Sequence, residues 1–311
     1  MIASLSLPLS ALELQDAVRC ARRYDPARLD RVLRLEPERD QLEVQASASW
    51  TSVAARIAPP AEAAVLGACR LTVAESVAVN VAGPDGTPIV AHVESLTLVM
   101  PEGELRRVSR QSAPKLFALA VGGQGLFGVP YSVTLRVESL LQATRMQQPE
   151  AALALPCAGV RTRALDLLIP PKHAEAFLVD ARNHCANWRV GLHGVVVRRT
   201  LSEQETFLRW ARREYAALTL AVQELPTLGG SVRTAQLRRE LIEAAIACGG
   251  SFAIDRTPEA TREQVDACYP QLKALLAEKR RMDPESKISN SWYRHHRSLF
   301  GREACAVRWN R

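Results

Sequence analysis

Four glycines fall within seven positions of the stretch AVGGQGLFGVPYSVTLRV, residues 120–137: Gly122, Gly123, Gly125 and Gly128. Glycine is costly inside helices and strands, so such a cluster marks left-handed backbone, or close approach to another chain segment or a ligand. The spacing Gly123-x-Gly125-x-x-Gly128 matches a dinucleotide-binding loop, which follows a strand and opens a helix whose N-terminus faces a pyrophosphate. Here the order is reversed. Residues 114–119 (PKLFAL) read as a short helix, and residues 131–137 alternate and are β-branched, as a strand requires. The turn joins a helix to a strand, and the Rossmann reading is set aside.

A chain of 311 residues has room for two domains or one large one, each with a sizeable core. At 47% hydrophobic and 23% charged residues it reads as an ordinary soluble globular protein. Its seven cysteines (20, 69, 157, 185, 248, 268 and 305) are scattered and form no CxxC pair, so they read as reduced thiols of a cytoplasmic protein, not as disulfides or zinc ligands. The start MIASLSLPLSALEL is apolar but lacks a basic region and breaks at Pro8, so no signal peptide is expected, and no run has the length of a membrane span. The net charge of +7 raises the question of nucleic acid. Its arginine doublets are dispersed beside acids, however, and the densest basic segment, SWYRHHRSLFGR at 291–302, reads as a solvated face. No nucleic-acid partner is expected.

The succession of elements is α+β. Residues 10–23 carry apolar Leu12, Leu14, Ala17, Val18 and Ala21 behind the capping-box pair Ser10 and Glu13. Strands follow at 41–48, 93–100, 105–109 and 131–137, with a short helix at 50–57 capped by Ser49 or Thr51, and turns at GPDG (83–86) and PEGE (101–104). Residues 142–156 read as a linker or edge element. Beyond it come strands at 166–169, 189–197, 217–224 and 251–254, helices at 171–185 and 234–248, a short helix at 207–213, and a helical stretch at 257–281 broken at Pro270. The stripe Leu237, Leu241, Ala245 and Cys248 ending at Gly249-Gly250 makes 234–248 the clearest of these.

Taken in order, LDRVLRLEPERDQLEVQASASWTSVAARIAP, LTVAESVAVNVAG and HVESLTLVMPEGELRRVSRQSAPKLFALAVGGQGLFGVPYSVTLRV resemble the FAD-linked oxidase family, whose flavin domain is of the vanillyl-alcohol-oxidase (PCMH) type. ETFLRWARREYAAL, GGSFAI, ATREQVDACYPQL and KRRMDPESKISNSWYRHH extend the resemblance through the second half. It implies a truncated PCMH-type FAD-binding domain at 1–142, an α+β cap with a mainly antiparallel sheet at 143–285, and a C-terminal segment 286–311 that returns to the first domain. In such domains the GGxGxxGV turn passes close to the adenine side of the cofactor, which points to Gly122, Gly123, Gly125, Gly128 and Val129. The same glycines also suit a purely structural helix-to-strand connection. Asn80 matches a phosphate-side asparagine, and Asn290 and Tyr293 match the segment that returns to the flavin face.

The departures from that family are specific. Its members carry a glycine-rich pyrophosphate loop before the LDRVL-like segment, and here only YDPAR, residues 24–28, separates Arg23 from Leu29. Arg22, Arg23 and Arg28 supply charge there but no nest of amides. A Gly-Gly pair before the asparagine is replaced by Ala74-Glu75, and Glu75 would repel an anion at short range. The resemblance therefore implies FAD bound weakly or not at all. Asp166, His173, His184 and His193 are candidates to line a cap pocket, or ordinary satisfied residues. His295 and His296 are adjacent and diverge, and no metal site is expected. No catalytic residue is assigned. The leading expectation is an FAD-dependent oxidoreductase taking a small-molecule C–OH or similar donor. The alternative is a cofactor-free paralogue that serves as an interaction module beside a partner protein.

Overall fold

A computed structural model of the chain describes residues 5–147, 151–154 and 161–301. The expectations that rest on residues 148–150 and 155–160, on Cys157 and on Cys305 lie outside the described residues. The described chain forms two compact units. The first holds the described residues within Met1–Gln147, Gln204–Arg209 and Gln271–Arg311, and the second those within Gln148–Glu203 and Trp210–Pro270.

The first unit opens with helix α1 (Ala11–Arg19), capped by Ser10, whose hydroxyl accepts from Glu13 N. Leu14, Ala17 and Val18 are buried, whereas Leu12 and Ala21, expected on the same face, are exposed. Strands β1 (Val32–Glu36) and β2 (Gln41–Gln45) form a hairpin, followed by helices α2 (Trp50–Ile57), α3 (Pro60–Leu66) and α4 (Val73–Val79). Strands β3 (Val93–Val99) and β4 (Leu105–Ser109) form a second hairpin closed at PEGE by Met100 N→Glu104 O, 2.8 Å. Helix α5 (Pro114–Ala120), the glycine turn, strand β5 (Val129–Arg136) and helix α6 (Val137–Arg145) complete this run. The sheet order is β1-β2-β5-β3-β4, antiparallel throughout. Its alternation places Leu42, Val44, Val133, Leu135, Leu96 and Val108 on the buried face.

The second unit is a five-stranded antiparallel sheet backed by helices. Strands β6 (Ala151–Ala154), β7 (Thr162–Ile169), β8 (Leu192–Thr200), β9 (Tyr215–Gln223) and β10 (Ser251–Phe252) take the order β10-β7-β9-β8-β6. Helix α7 (Ala174–Asn187) follows β7, helix α8 (Leu228–Ala247) follows β9, and helix α9 (Arg262–Cys268) carries a Thr261–Gln264 capping box. On α8 the stripe Leu237, Leu241 and Ala245 is buried as expected, and Cys248 is half-buried. The helix starts six residues earlier than 234, because Thr227 caps it by accepting from Gly230 N. The described residues end with helices α10 (Leu272–Met282) and α11 (Ser291–Phe300), both within the first unit. The expected boundary at 285 placed α10 with the second unit. Glu278 on α10 instead accepts from Lys115 on α5, at 2.8 Å.

Two local expectations need correction. Residues 142–145, read as linker, belong to α6, whose first amides are taken by a distant residue: Val137 N by Asp40 O and Glu138 N by Asp40 Oδ1, at 3.1 and 2.7 Å. The stretch 207–213 is not helical. Phe207 N donates to Ala118 O at 2.8 Å, giving one of the last carbonyls of α5 a partner from a distant segment.

Among the described residues no helix is long and apolar enough to cross a membrane, and the five described cysteines are free thiols. The second unit buries one arginine completely. Arg238 of α8 is 1% exposed, donates to Ala164 O at 3.0 Å, and lies 3.4 Å from Glu259, which also pairs with Arg163. Removing one partner of a buried ion pair leaves an uncompensated charge. Glu259→Gln is therefore expected to destabilise the second unit by about 3 kcal/mol, read as an earlier urea transition of Trp188 fluorescence.

Candidate functional site: the glycine turn and the residues it holds

Helix α4 ends in a left-handed residue. Asn80 caps it at φ 51° and ψ 52°, wholly buried, and its Oδ1 accepts from Val90 N at 3.0 Å. Asparagine suits this conformation better than most non-glycine residues. Like any helix, α4 leaves its last carbonyls without partners along its own axis. Ser76 O accepts from Val81 N, Val77 O from Gly122 N at 2.8 Å, and Ala78 O from Gln124 N at 2.9 Å. Asn80 N also reaches Val77 O, at 3.2 Å, so two of the four donors come from the glycine turn.

The glycines are there for contact and for conformation. A Cβ on Gly123 would stand 1.8 Å from Leu119 O, so the backbone of α5 passes where a side chain would be. Gly128 takes φ +129°, and a Cβ there would meet Leu98 Cβ at 2.9 Å. Gly125, by contrast, has open space where a Cβ would point. The opposite side of the turn is held by α11. Asn290 Nδ2 donates to Gln124 O at 2.8 Å, while its Oδ1 accepts from Tyr293 N at 2.8 Å and so caps the helix. Gln124 itself adopts φ +58°.

The structure thus brings Asn80, Gly122 and Asn290 together around one turn, through Val77 and Gln124. Tyr293 lies one helical turn beyond Asn290, 1% exposed, with Lys279 Nζ 5.9 Å from its ring centroid. Its hydroxyl is buried and has no hydrogen-bond partner among the described residues. Lys279 is itself buried and donates to Asp283 Oδ2 at 2.5 Å. Burial alone would push the Asp283 carboxyl up. Lys279 and the amides of Ile288 and Lys287, each amide at 2.9 Å, outweigh it and hold the carboxyl below the ordinary aspartate range. Val129 begins β5 and packs in a core cluster with Leu14, Val18 and Leu29.

The phosphate-side residues are engaged within the fold. Glu75 Oε2 accepts from Thr72 N and Glu75 N donates to Thr72 Oγ1, a complete capping box. In YDPAR, Asp25 N donates to Ser6 O and Ala27 N to Asp25 Oδ1, and Pro26 has no N–H. Arg22, Arg23 and Arg28 are exposed. A pyrophosphate needs several converging donors, because unpaired buried charge is very unfavourable. The amides of Gly122, Gln124, Asp25 and Ala27 all have partners inside the fold.

The second-unit candidates do not converge on a common partner. Asp166 accepts from Thr219 Oγ1 at 2.6 Å and from Arg256 Nη1 at 3.2 Å, and His184 meets Glu240, which also takes Trp188 Nε1. His173 precedes α7 and is half-buried, and His193 Nε2 is buried with no hydrogen-bond partner among the described residues. On α11, His296 is buried against Trp292 with ring centroids 4.2 Å apart, and burial pulls its pKa down to about 4. His295 is half-buried beside it. Among the described residues, no three His, Cys, Asp or Glu side chains are grouped to hold a metal ion. On the first sheet, a polar cleft lined by Arg34, Glu36, Arg39, Glu43, Arg107 and Thr134 is largely self-paired: Arg34 and Arg39 meet Glu36, and Ser132 donates to Glu43.

Sequence reasoning missed Gln124, Lys279 with Asp283, and His92. Gln124 is hidden among glycines by its side chain, although its backbone carries the contacts. The i,i+4 spacing of Lys279 and Asp283 was legible, but not their burial. His92 is buried with Nδ1 2.7 Å from Ser139 Oγ, a partner distant in sequence. A scan against protein-family models finds no match to this chain, and a search of curated proteins finds no matching relative.

Three outcomes follow from this geometry. Asn290→Ala removes a helix cap and the bond to the turn together, and is expected to lower stability by about 2 kcal/mol; Gly128→Val, with its strained φ and a collision with Leu98, should lower it by about 3 kcal/mol or more. Both are measured by denaturant unfolding. His296 binds its proton less readily folded than unfolded, so the unfolded chain takes up more protons between the ordinary histidine value of 6.5 and about 4. Stability should fall as pH drops through that window, and His296→Gln should flatten the fall in pH-dependent melts.

Proposed function

We propose that the chain is a relative of the FAD-linked oxidases that works without bound FAD, as an interaction module or partner subunit. The observation that carries this reading is the use of the glycine turn. Its Gly122 and Gln124 amides close the end of α4, and Asn290 holds Gln124 O, so the residues that resemble a cofactor turn serve the fold. The commitment of Glu75 to a capping box and the tight YDPAR connection support the same reading, since neither leaves donors for two phosphates.

One observation favours the other reading, an FAD-dependent oxidoreductase acting on a small C–OH donor. Gly125 has open space above it, where an adenine could approach the backbone. Contacts on that side alone leave the pyrophosphate unmatched. Each missing charge-assisted hydrogen bond is worth roughly 1.5–3 kcal/mol, and three of them correspond to about a thousandfold in affinity or more.

The purified protein should be colourless, with no flavin absorption, and calorimetric titration with FAD should give no binding tighter than about 100 µM. Yellow protein, or submicromolar FAD affinity, would overturn the cofactor-free reading in favour of the oxidoreductase.

A further inference from the structure

The first described residues are arranged the wrong way round for a free surface. In LSLPL, residues 5–9, Leu5, Leu7 and Leu9 are 53%, 45% and 46% exposed, while Pro8 between them is buried and Ser6 half-buried. An extended segment alternates its side chains between two faces, and here the leucines take the outer one. Leu12, at the start of α1, extends the ridge at 74% exposure. Single exposed leucines are ordinary, but four within eight residues form a patch that marks an interaction site.

The backbone has the same orientation. Ser6 forms a parallel bridge with Tyr24: Ser6 N donates to Arg23 O, and Asp25 N to Ser6 O. Ser6 therefore turns its main-chain groups toward residues 23–25, and Leu5 and Leu7 turn theirs to the opposite edge. Among the described residues the main-chain groups of Leu5 and Leu7 have no hydrogen-bond partner, whereas Leu9 N, the next amide on that edge, donates to Glu13 Oε2 at 2.9 Å. In a parallel pair, bridged residues share a face. Ser6 lies with Tyr24, which packs on the core, and Arg23 lies with the leucines on the outer face. Arg22, Arg23 and Arg28 are exposed and have no carboxylate partner among the described residues.

We infer that this edge docks an extended, acidic segment of another protein, added as a strand beside residues 5–7. The inference rests on the interaction-module reading above and names its surface. A polypeptide strand supplies main-chain partners for Leu5 and Leu7, apolar side chains for the leucine ridge, and carboxylates for the arginines. A lipid surface would match the leucines and arginines but leave the open edge unsatisfied. A second copy of the chain would bring arginine toward arginine. The ridge alone is also far smaller than the roughly 800 Å² per partner of a stable interface.

The test uses the full chain and two labelled peptides of about ten residues, one alternating Glu with Val and the other Lys with Val, read by fluorescence anisotropy. The Glu–Val peptide should bind with a Kd on the order of 10–100 µM and weaken with added salt, and the Lys–Val peptide should bind at least about tenfold more weakly. Leu7→Glu, and separately Arg22→Glu with Arg23→Glu, should each weaken Glu–Val binding by about tenfold or more. All three positions are exposed, and unchanged melting curves confirm the fold. Equal binding by the variants, or no peptide binding, overturns the inference. So does recruitment to phosphatidylcholine–phosphatidylserine vesicles that Leu7→Glu abolishes, or a dimer in sedimentation that the same variant dissociates. Such a failure with colourless protein removes only this surface; yellow protein removes the reading beneath it.

Discussion

The last carbonyls of α4 govern much of the first unit. A helix end buried without partners is strongly unfavourable, because each orphaned polar group forfeits its hydration. Here Asn80 N and Val81 N serve Ser76 O and Val77 O locally, and Gly122 N and Gln124 N, from a turn more than forty residues away in sequence, complete Val77 O and Ala78 O. To reach Val77 and Ala78, that turn must pass within contact of Leu119 O and Leu98, and only glycine fits at Gly123 and Gly128. The turn in turn fixes the start of β5, the central strand of the first sheet, and presents Gln124 O to Asn290 at the start of α11. One capping requirement thus links a helix, the middle of the sheet and the C-terminal helix.

That linkage bears directly on function. Backbone amides that converge on helix carbonyls are not available to converge on phosphate. A glycine-rich turn supports a cofactor when its N–H groups face outward, and two of the N–H groups in this turn face α4. The same sequence signature therefore accommodates opposite uses, depending on which way a few amides point. The buried Lys279–Asp283 pair and the amides of Lys287 and Ile288 hold the segment leading into α11, so the approach to the turn from that side is also structurally committed.

Much of the architecture was legible in the sequence. The α+β class, the PEGE hairpin, the Ser49-capped helix at 50–57 and the strand after the glycines all depend on local signals, namely alternation, caps and turn residues. The misread stretches depend on distant partners. Residues 142–145 are helical in α6, whose first amides Asp40 takes, and the irregular stretch 207–213 opens with its Phe207 amide on the distant Ala118 O. At the candidate site, the sequence marked Asn80, Gly122 and Asn290, which do meet around one turn. It could not reveal that they meet to bond with the fold. Glu75 shows the same limit: T-x-x-E is a capping-box pattern, yet read against a family motif it looked like an electrostatic intruder.

The central claim, that the glycine turn is a structural clasp, is tested most directly by amide hydrogen exchange at Gly122 and Gln124, followed by NMR with and without added FAD. The clasp predicts that both amides exchange slowly in the free protein, close to the rate set by global unfolding, and that saturating FAD leaves them unchanged. Rapid exchange in the free protein, slowed only when FAD is added, would show that these amides await a ligand and would contradict the account.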